Sequence, residues 1–256
     1  MNRRSLLKAT AGFAVFGLSI PRTAFADAAL GRMAAGAANA GDFGIEPGAA
    51  EDQTSALSTL LERASVEATP IFLPPGRYLL SGLSLPRHVR LLGVPGATHL
   101  VQAGAGALLK AGTSERLTLS GLTLDGMHMP LSGDRRALLD IDGAQRLAIE
   151  QCVFQASGGS GLALRQARGH IRDCEIVDAS EYALYALNSK GLDISANVIA
   201  DCGNGGILVH RWSAREDGTI VTGNRVHRVG YADIGDGPNG CGISVFRADG
   251  VILANN

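Results

Sequence analysis

The segment GLDISANVIADCGNGGILVH, residues 191–210, decides the fold of this chain. It contains two short β-type runs that are separated by polar and glycine-rich links, and neither run is long enough to form a domain element alone. Such a unit cannot bury its apolar side chains until a neighbouring copy stacks on it. The question is therefore whether the chain contains such copies.

Matching segments recur along the second half of the chain, at Arg116–Leu122, Arg146–Cys152, Arg168–Cys174, Gly191–Asn197, Gly218–Asn224 and Gly250–Asn256. Their last residues are 30, 22, 23, 27 and 32 positions apart. A second strand recurs between them, at Gly161–Leu164, Ala183–Ala186, Gly206–Val209 and Gly242–Val245. Repeats of this length with several short strands predict a solenoid, here a parallel β-helix with coils about 4.8 Å apart.

Alternation within the second strand predicts which side chains fill the interior: Leu162 and Leu164, Leu184 and Ala186, Ile207 and Val209, and Ile243 and Val245. The asparagines that end three of the repeats, Asn197, Asn224 and Asn256, are predicted to stack at a bend and to hydrogen-bond to one another. Cys152 and Cys174 hold the same position in earlier coils. An oxidising compartment would permit pairing among Cys152, Cys174, Cys202 and Cys241, but small buried thiols are the favoured interpretation.

The N-terminus has the three parts of an export signal: Asn2–Lys8 with paired arginines, the apolar stretch Ala9–Ile20, and Ala24–Ala26 as the cleavage site. The paired arginines resemble a twin-arginine signal, which implies the twin-arginine translocase as an export partner and a periplasmic or secreted product. The apolar stretch is shorter than the roughly 20 residues that cross a bilayer, so no membrane span is expected after cleavage. We predict a signal peptide at 1–26 and a flexible leader at 27–40.

Charge excludes several partners. The whole chain has a formal charge of −1, and removal of residues 1–26 leaves 19 basic and 24 acidic residues, a charge of −5. An acidic chain does not attract phosphate backbones, and no Walker-type string is present. We therefore expect no nucleic-acid and no nucleotide partner.

One helix is predicted near the start of the domain, with Asp52 as its N-cap and an apolar pattern at Ala56, Leu57, Leu60, Leu61 and Ala64. Short strands punctuated by Pro and Gly follow, at Ile71–Leu73, Tyr78–Leu80, Leu83–Leu85 and Val89–Leu92. A helix at this place would cover the open end of the stack.

Three motifs, Gly41–Gly44, Ile71–Tyr78 and Leu83–Pro86, resemble the start of pectate-lyase-like right-handed β-helix proteins, polygalacturonases included. With the signal, the chain is also similar to a twin-arginine-translocated repeat family of unassigned function. The resemblance implies an all-β, right-handed parallel β-helix with an N-terminal capping helix over residues 41–256. Because the sequence stops at Asn256 in the middle of a coil, we expect this domain to be truncated at its C-terminal end.

In the polysaccharide enzymes that the chain resembles, the outward face of one sheet carries the sugar groove. The outward positions of the second strand here predict five catalytic candidates: Asp140, Asp142, Arg165, Tyr185 and His210. The resemblance gives them roles: a carboxylate as acid, base or cation ligand, Arg to neutralise a uronate, and Tyr or His to exchange a proton. The alternative is that they are ordinary solvated strand positions.

Further ligand contacts are predicted at the ends of these strands, from Arg211, Trp212, Phe246 and Arg247, because aromatic rings offer flat surfaces to sugars. The inserted loop at 231–240 offers oxygen ligands for calcium from Asp233, Asp236 and Asn239, although an Asp- and Asn-rich turn needs no metal. No other cofactor is expected.

These observations predict an exported protein that binds or modifies an acidic or cell-envelope polysaccharide, as a lyase, hydrolase or epimerase. The alternative is a non-catalytic structural or adhesive β-helix. It is favoured by missing motifs: no Asp-Asp pair and no R-x-K occur, and His210 follows Val209 where a polygalacturonase has Gly. Whether the chain is an enzyme thus stays open at this point.

Overall fold

The computed structural model describes residues 36–131, 136–230 and 240–256. The predicted signal and most of the predicted leader lie outside this range. The described residues contain one α-helix, α1 (Thr54–Glu67), preceded by a 3₁₀ turn at Ala40–Phe43. None of the helices in these residues is both long and apolar enough to cross a membrane.

Three parallel sheets contain all the strands of the described residues. Sheet I consists of β3 Gly76–Leu80, β6 Thr98–Gln102, β9 Thr123–Asp125, β12 Val153–Gln155, β15 Glu175–Val177, β18 Val198–Cys202 and β21 Arg225–Val229. Sheet II consists of β4 Leu83–Leu85, β7 Leu109–Ala111, β10 Ala137–Asp142, β13 Ser160–Arg165, β16 Tyr182–Leu187, β19 Gly205–Glu216 and β22 Cys241–Asp249. Sheet III consists of β1 Ala38–Asn39, β2 Ile71–Phe72, β5 His88–Leu92, β8 Arg116–Ser120, β11 Leu147–Glu150, β14 Gly169–Arg172, β17 Leu192–Ser195, β20 Ile220–Thr222 and β23 Ile252–Ala254.

From β3 onward the chain visits sheets I, II and III in turn, and each strand pairs with its equivalent in the next coil. The predicted parallel β-helix with an N-terminal capping helix is therefore confirmed. The first strand, β1, pairs with β2 and lies inside the segment predicted as leader.

The interior is filled by like side chains in register, as predicted for most coils. Leu162, Leu184 and Ile207 follow one another across β13, β16 and β19, and all three are buried. In the last coil Ile243 and Val245 also lie in register with Ile207 and Val209, but Ile243 is only half-buried and Val245 is 39% exposed. The reason is that β22 is an edge strand of sheet II and is covered from one side only.

The predicted asparagine stack is confirmed at the turn from sheet III to sheet I. Asn197 Nδ2 donates to Asn224 Oδ1 at 2.9 Å, and Asn224 Nδ2 donates to Asn256 Oδ1 at 2.8 Å. The unusual backbone angle belongs to the preceding residue in each case, such as Ala196 with φ 55°, and not to the asparagine. Asparagine is needed for its amide, while the residue before it makes the bend.

Helix α1 buries Leu57, Leu60, Leu61 and Ala64, whereas Ala56 is exposed. Its N-cap is Gln53 and not Asp52, although the Asp52 carboxylate still accepts from the Thr54 amide at 2.8 Å. The Gln53 side chain does not cap the helix because it bonds to both backbone groups of Glu46. The helix packs on β4 and β5, at the start of the stack.

All four cysteines are free thiols, and Cys152, Cys174 and Cys202 are buried. Cys152 and Cys174 donate to the carbonyls of Glu150 and Arg172 at 3.3 and 3.2 Å. Burial raises the pKa of Cys152 well above its usual range and that of Cys202 to about 11. Cys152 and Cys202 are therefore protonated, poorly reactive parts of the core, whereas the hydrogen bond with Cys152 lowers the pKa of Cys174.

Candidate functional site

The outward face of sheet II brings the five predicted catalytic residues together on four neighbouring coils. Asp142, Arg165, Leu187, His210 and Phe246 follow one another in register and form one row of this face. The adjacent row contains Asp140, Ala163, Tyr185, Leu208 and Ser244. Leu187 and Leu208 lie on the same face but are buried.

Asp142 and Arg165 form an ion pair between adjacent coils. Arg165 Nε lies 2.9 Å from Asp142 Oδ1, and Nη2 contacts Oδ2, so the guanidinium grips both carboxylate oxygens. The hydrogen bond to Asp142 raises the pKa of Arg165 above its usual value, and the charge of Asp140 adds to this effect. Asp142 is therefore held by Arg165 in this structure.

Four rings form a chain of contacts across the face, which we call the aromatic chain: Tyr182, Tyr185, His210 and Phe246. The Tyr185 and His210 centroids lie 5.5 Å apart in an edge-to-face arrangement, and those of His210 and Phe246 lie 5.7 Å apart. Arg247 extends the chain, with its guanidinium carbon 4.8 Å from the Phe246 centroid. The predicted residues Tyr185, His210, Phe246 and Arg247 thus form one contiguous group.

The environment of His210 keeps its ring neutral. It is only 8% exposed, and its Nε2 lies 3.1 Å from Ser244 Oγ. Burial lowers the pKa of His210 and raises the pKa of Tyr185. At neutral pH a neutral imidazole therefore lies beside a protonated phenol, and such a pair can exchange a proton with a bound molecule.

A bulge in β19 presents the exposed indole of Trp212 beside this face. The register with β22 runs from His210 opposite Phe246 to Arg215 opposite Ala248, so residues 211–214 face a single residue of β22. The Trp212 amide donates to Asn188 Oδ1 at 3.1 Å, its carbonyl accepts from Arg247 at 2.6 Å, and its side chain is 63% exposed. The extra residues thus hold a flat apolar surface in solvent.

Arg211, at the start of the bulge, is held by hydrogen bonds to buried neighbours. Its Nη1 donates to Ser189 O at 2.6 Å and to Asp217 Oδ2 at 3.1 Å, and Asp217 also accepts from the Thr219 hydroxyl. The side chains of Arg211 and Asp217 are 13% and 1% exposed. Arg211 was predicted to contact substrate, and its guanidinium also has a structural role in the structure through its pair with Asp217.

Two adjoining cavities share Gln166 and Trp212. The first, of about 400 Å³, is also lined by Asp142, Arg165 and Thr113. The second, of about 290 Å³, is also lined by Asn188, Arg211 and Arg215. We call these two cavities together the Trp212 groove. It crosses several coils at the edge of sheet II and combines an exposed indole with amide, carboxylate and guanidinium groups.

The groove residues Gln166 and Asn188 and the bulge in β19 were not predicted from the sequence. A signal was present, because Asn197 and Asn224 are 27 residues apart where the two preceding spacings are 23 and 22. The extra length showed that an insertion exists without showing that it lies at residues 211–214.

The calcium candidates Asp233 and Asp236 lie outside the described residues. Across 36–131, 136–230 and 240–256, no three His, Cys, Asp or Glu side chains are grouped to hold a metal ion.

Comparison with known proteins identifies the family. Residues 106–256 match the model of the right-handed beta helix region, so the chain belongs to this family. The predicted right-handed β-helix superfamily is thereby confirmed. A search of curated protein sequences gives no match.

Several solved structures are similar. The A-module of mannuronan C-5 epimerase AlgE6 from Azotobacter vinelandii has a TM-score of 0.57 at 20% identity, over 73% of this chain and 56% of that one. The ORF18 protein of Geobacillus virus E2 has a TM-score of 0.61 at 15% identity, over 87% and 50%. The gene product 12 N-terminal fragment of bacteriophage phi29 has a TM-score of 0.62 at 15% identity, over 79% and 39%. This chain thus spans 39–56% of these three structures, and at such identities the likeness concerns the fold.

Proposed function

We propose that this chain binds a polysaccharide in the Trp212 groove. The observation that carries the proposal is Trp212 itself, a highly exposed indole that a bulge holds beside Asn188 and that lines the groove with Gln166. An exposed aromatic ring flanked by amides matches the amphipathic character of a sugar ring, whose apolar face stacks while its hydroxyls bond. The groove crosses coils, so it suits a chain molecule.

Charge favours an acidic polysaccharide. Arg165 and Arg215 line the groove, and Asp142 is the acid among its lining residues. Since Asp142 is already paired with Arg165, the guanidinium of Arg215 is the group best placed to meet a uronate carboxylate. One similar structure is named as a mannuronan C-5 epimerase module, which makes a uronate polymer the first ligand to test.

Chemical modification of the bound chain is a second candidate, favoured by the Tyr185–His210 contact. A neutral imidazole beside a protonated phenol supplies a base and an acid, as a lyase or an epimerase requires. For this to operate, substrate must displace Phe246, because His210 is packed between Tyr185 and Phe246. The same packing favours the non-catalytic structural or adhesive alternative.

We also propose export through the twin-arginine pathway, which rests on Arg3, Arg4 and the cleavage site at Ala26. Fusion of residues 1–35 to a reporter that matures only in the cytoplasm tests it. Export that is lost when both arginines become Lys supports the proposal, and export that persists contradicts it.

The binding proposal is tested by screening the protein without residues 1–26 against uronate-rich and neutral polysaccharides. Binding, unsaturated uronates and new reducing ends are each measured, with calcium and with a chelator. We expect Trp212→Ala to weaken binding about ten-fold, which is the loss of roughly one stacking contact. Phe43→Ala, which removes another exposed aromatic ring, is the matched control and should leave binding unchanged.

Product formation separates the two activities. If product appears and is lost in Tyr185→Phe and His210→Gln variants that still bind polymer, the chain is an enzyme. If polymer binds without product, the adhesive role stands. If the Trp212→Ala and Phe43→Ala variants both bind the polysaccharide as tightly as the wild-type protein does, the groove is not the site.

A further inference from the structure

A column of arginines lies on a different part of the molecule, at the start of the sheet III strands. Leu117 pairs with Leu147, and Leu147 pairs with Gly169, so the residues before them, Arg116, Arg146 and Arg168, lie at equivalent positions on three successive coils. The Leu117 amide donates to Arg146 O at 3.0 Å, and the Leu147 amide donates to Arg168 O at 2.8 Å. We call these three residues the arginine column.

The column runs along the solenoid axis with a spacing of about 4.8 Å between coils. All three side chains are exposed, and His88, opposite Arg116, extends the column by one coil. A fixed row of cations at strand spacing is a property of the fold, because each coil repeats the backbone position of the previous one.

These guanidiniums have no partner among the described residues. Several other surface arginines in the same range are paired, among them Arg165 with Asp142, Arg172 with Glu150 and Arg228 with Asp201. Arg116, Arg146 and Arg168 make neither a side-chain hydrogen bond nor an ion pair in the part of the chain that the structure describes. Each therefore presents up to five N–H donors to solvent.

A cavity of about 360 Å³ lies where the column meets the C-terminal end of α1. Arg90, Arg116 and Arg146 line it together with His88 and Glu115. Glu115 is already engaged, by Arg87 Nη2 at 3.0 Å and by His88 Nε2 at 3.1 Å. The end of α1 adds a partial charge of about −0.5, which the unpaired guanidiniums of Arg116 and Arg146 outweigh. The cavity is thus a local cationic site on a chain of net negative charge.

We propose that the arginine column and this cavity bind an acidic polysaccharide chain that lies along the solenoid axis. A linear polyanion fits because successive guanidiniums repeat along one line, whereas a compact anion cannot reach all three of them. Nucleic acid is disfavoured because the lining of the cavity offers no aromatic ring besides the imidazole of His88 for base stacking. This surface is separate from the Trp212 groove, and the proposal stands even if the groove binds a neutral glycan.

The test measures binding of polygalacturonate in a Trp212→Ala background, which removes the contribution of the groove. The test variant is Arg116→Gln/Arg146→Gln/Arg168→Gln. The matched control is Arg77→Gln/Arg225→Gln/Arg228→Gln, which removes the same charge from exposed residues of sheet I. Duplex DNA, inorganic sulfate and dextran are the comparison ligands, and circular dichroism checks that all variants are folded.

We expect the test variant to bind polygalacturonate about ten-fold more weakly than its parent, and the control to change less than about two-fold. Added salt should weaken binding by the parent and narrow the difference, because the contacts are exposed. Equal losses in the test and control variants would show a general charge effect and overturn the proposal. An absence of polygalacturonate binding in the Trp212→Ala parent would also overturn it. The same holds if DNA or sulfate binds as tightly as polygalacturonate and loses affinity equally in the test variant.

Discussion

Asn224 joins three consecutive coils through one buried amide. Its Oδ1 accepts from the backbone N–H and from Nδ2 of Asn197, at 3.0 and 2.9 Å. Its own Nδ2 donates to Ile194 O and to Asn256 Oδ1, at 2.9 and 2.8 Å. Both polar atoms of the side chain are thus hydrogen-bonded, and their partners are polar groups of the two adjacent coils. A single side chain therefore sets the register of the turn in adjacent coils.

We predict that Asn224→Ala lowers the free energy of unfolding by about 2–3 kcal/mol, because it leaves buried donors of Asn197 without an acceptor. Urea denaturation measures this value. Asp193→Ala, at an exposed position of sheet III, is the control and should change stability by less than about 0.5 kcal/mol. Equal losses in the two variants would mean that the asparagine stack is dispensable.

His210 gives stability a pH dependence. Since burial lowers its pKa in the folded state, the unfolded chain binds a proton first, at about pH 6.5. Its contribution is complete above that pH and decreases as the pH falls below it. We predict that His210→Gln flattens the loss of stability between about pH 6.5 and 5, measured by denaturation at each pH. His99→Gln is the control, and an unchanged slope in His210→Gln would refute this assignment.

Alternation along β19 predicts that His210 points away from the core, and this is correct. It does not predict that the ring is buried, because the cover comes from Tyr185 and Phe246 on the two adjacent coils. The pairing of Asp142 with Arg165 likewise depends on strand register. Residue type and direction are local properties that the sequence encodes, whereas exposure and pairing are set between coils.

At the scale of elements, strand β19 differs most from its equivalents. It has 12 residues where β16 and β13 each have six, and the additional length contains the bulge with Trp212. The buried pair of Arg211 and Asp217 holds the base of this bulge. The element that forms the groove thus depends on a charge pair inside the fold.

We predict that Asp217→Ala destabilises the protein by about 3–5 kcal/mol, because it leaves the largely buried guanidinium of Arg211 unpaired. Thermal or urea denaturation measures the loss. Glu67→Ala removes the partner of Arg63 in an exposed pair at 3.0 Å and should cost less than about 1 kcal/mol. A loss for Asp217→Ala as small as that for Glu67→Ala would show that the pair does not anchor the bulge.

The elements themselves were largely predictable. The strands around residues 71–92, the helix and two repeated strands of each coil occur where their patterns of period 2 or 3.6 lie. The third strand of each coil, such as β18 between the two runs of residues 191–210, was not predicted. The bulge was not predictable, since an insertion in a solenoid changes only the spacing between repeats. Neither were the corner residues Gln166 and Asn188, because no periodicity marks a position in a loop.

At the scale of the whole molecule, one backbone plan produces surfaces of different kind. Stacking in register creates the core, the asparagine stack and the arginine column by repetition of one position. The Trp212 groove arises where repetition is interrupted. This contrast explains why the fold follows from the sequence while the site does not: a repeated feature is visible in every coil, and an interruption occurs once.

Binding of polysaccharide in the Trp212 groove is the central claim, and the chain provides its own reporter, because Trp212 is its single tryptophan. The most direct measurement is a titration of tryptophan fluorescence with uronate-rich polysaccharide, combined with quenching by acrylamide. We predict a saturable change in emission and reduced access of the quencher to the indole. Unchanged emission and quenching at concentrations where binding is detected independently would contradict the claim. So would a failure of every polymer tested to bind.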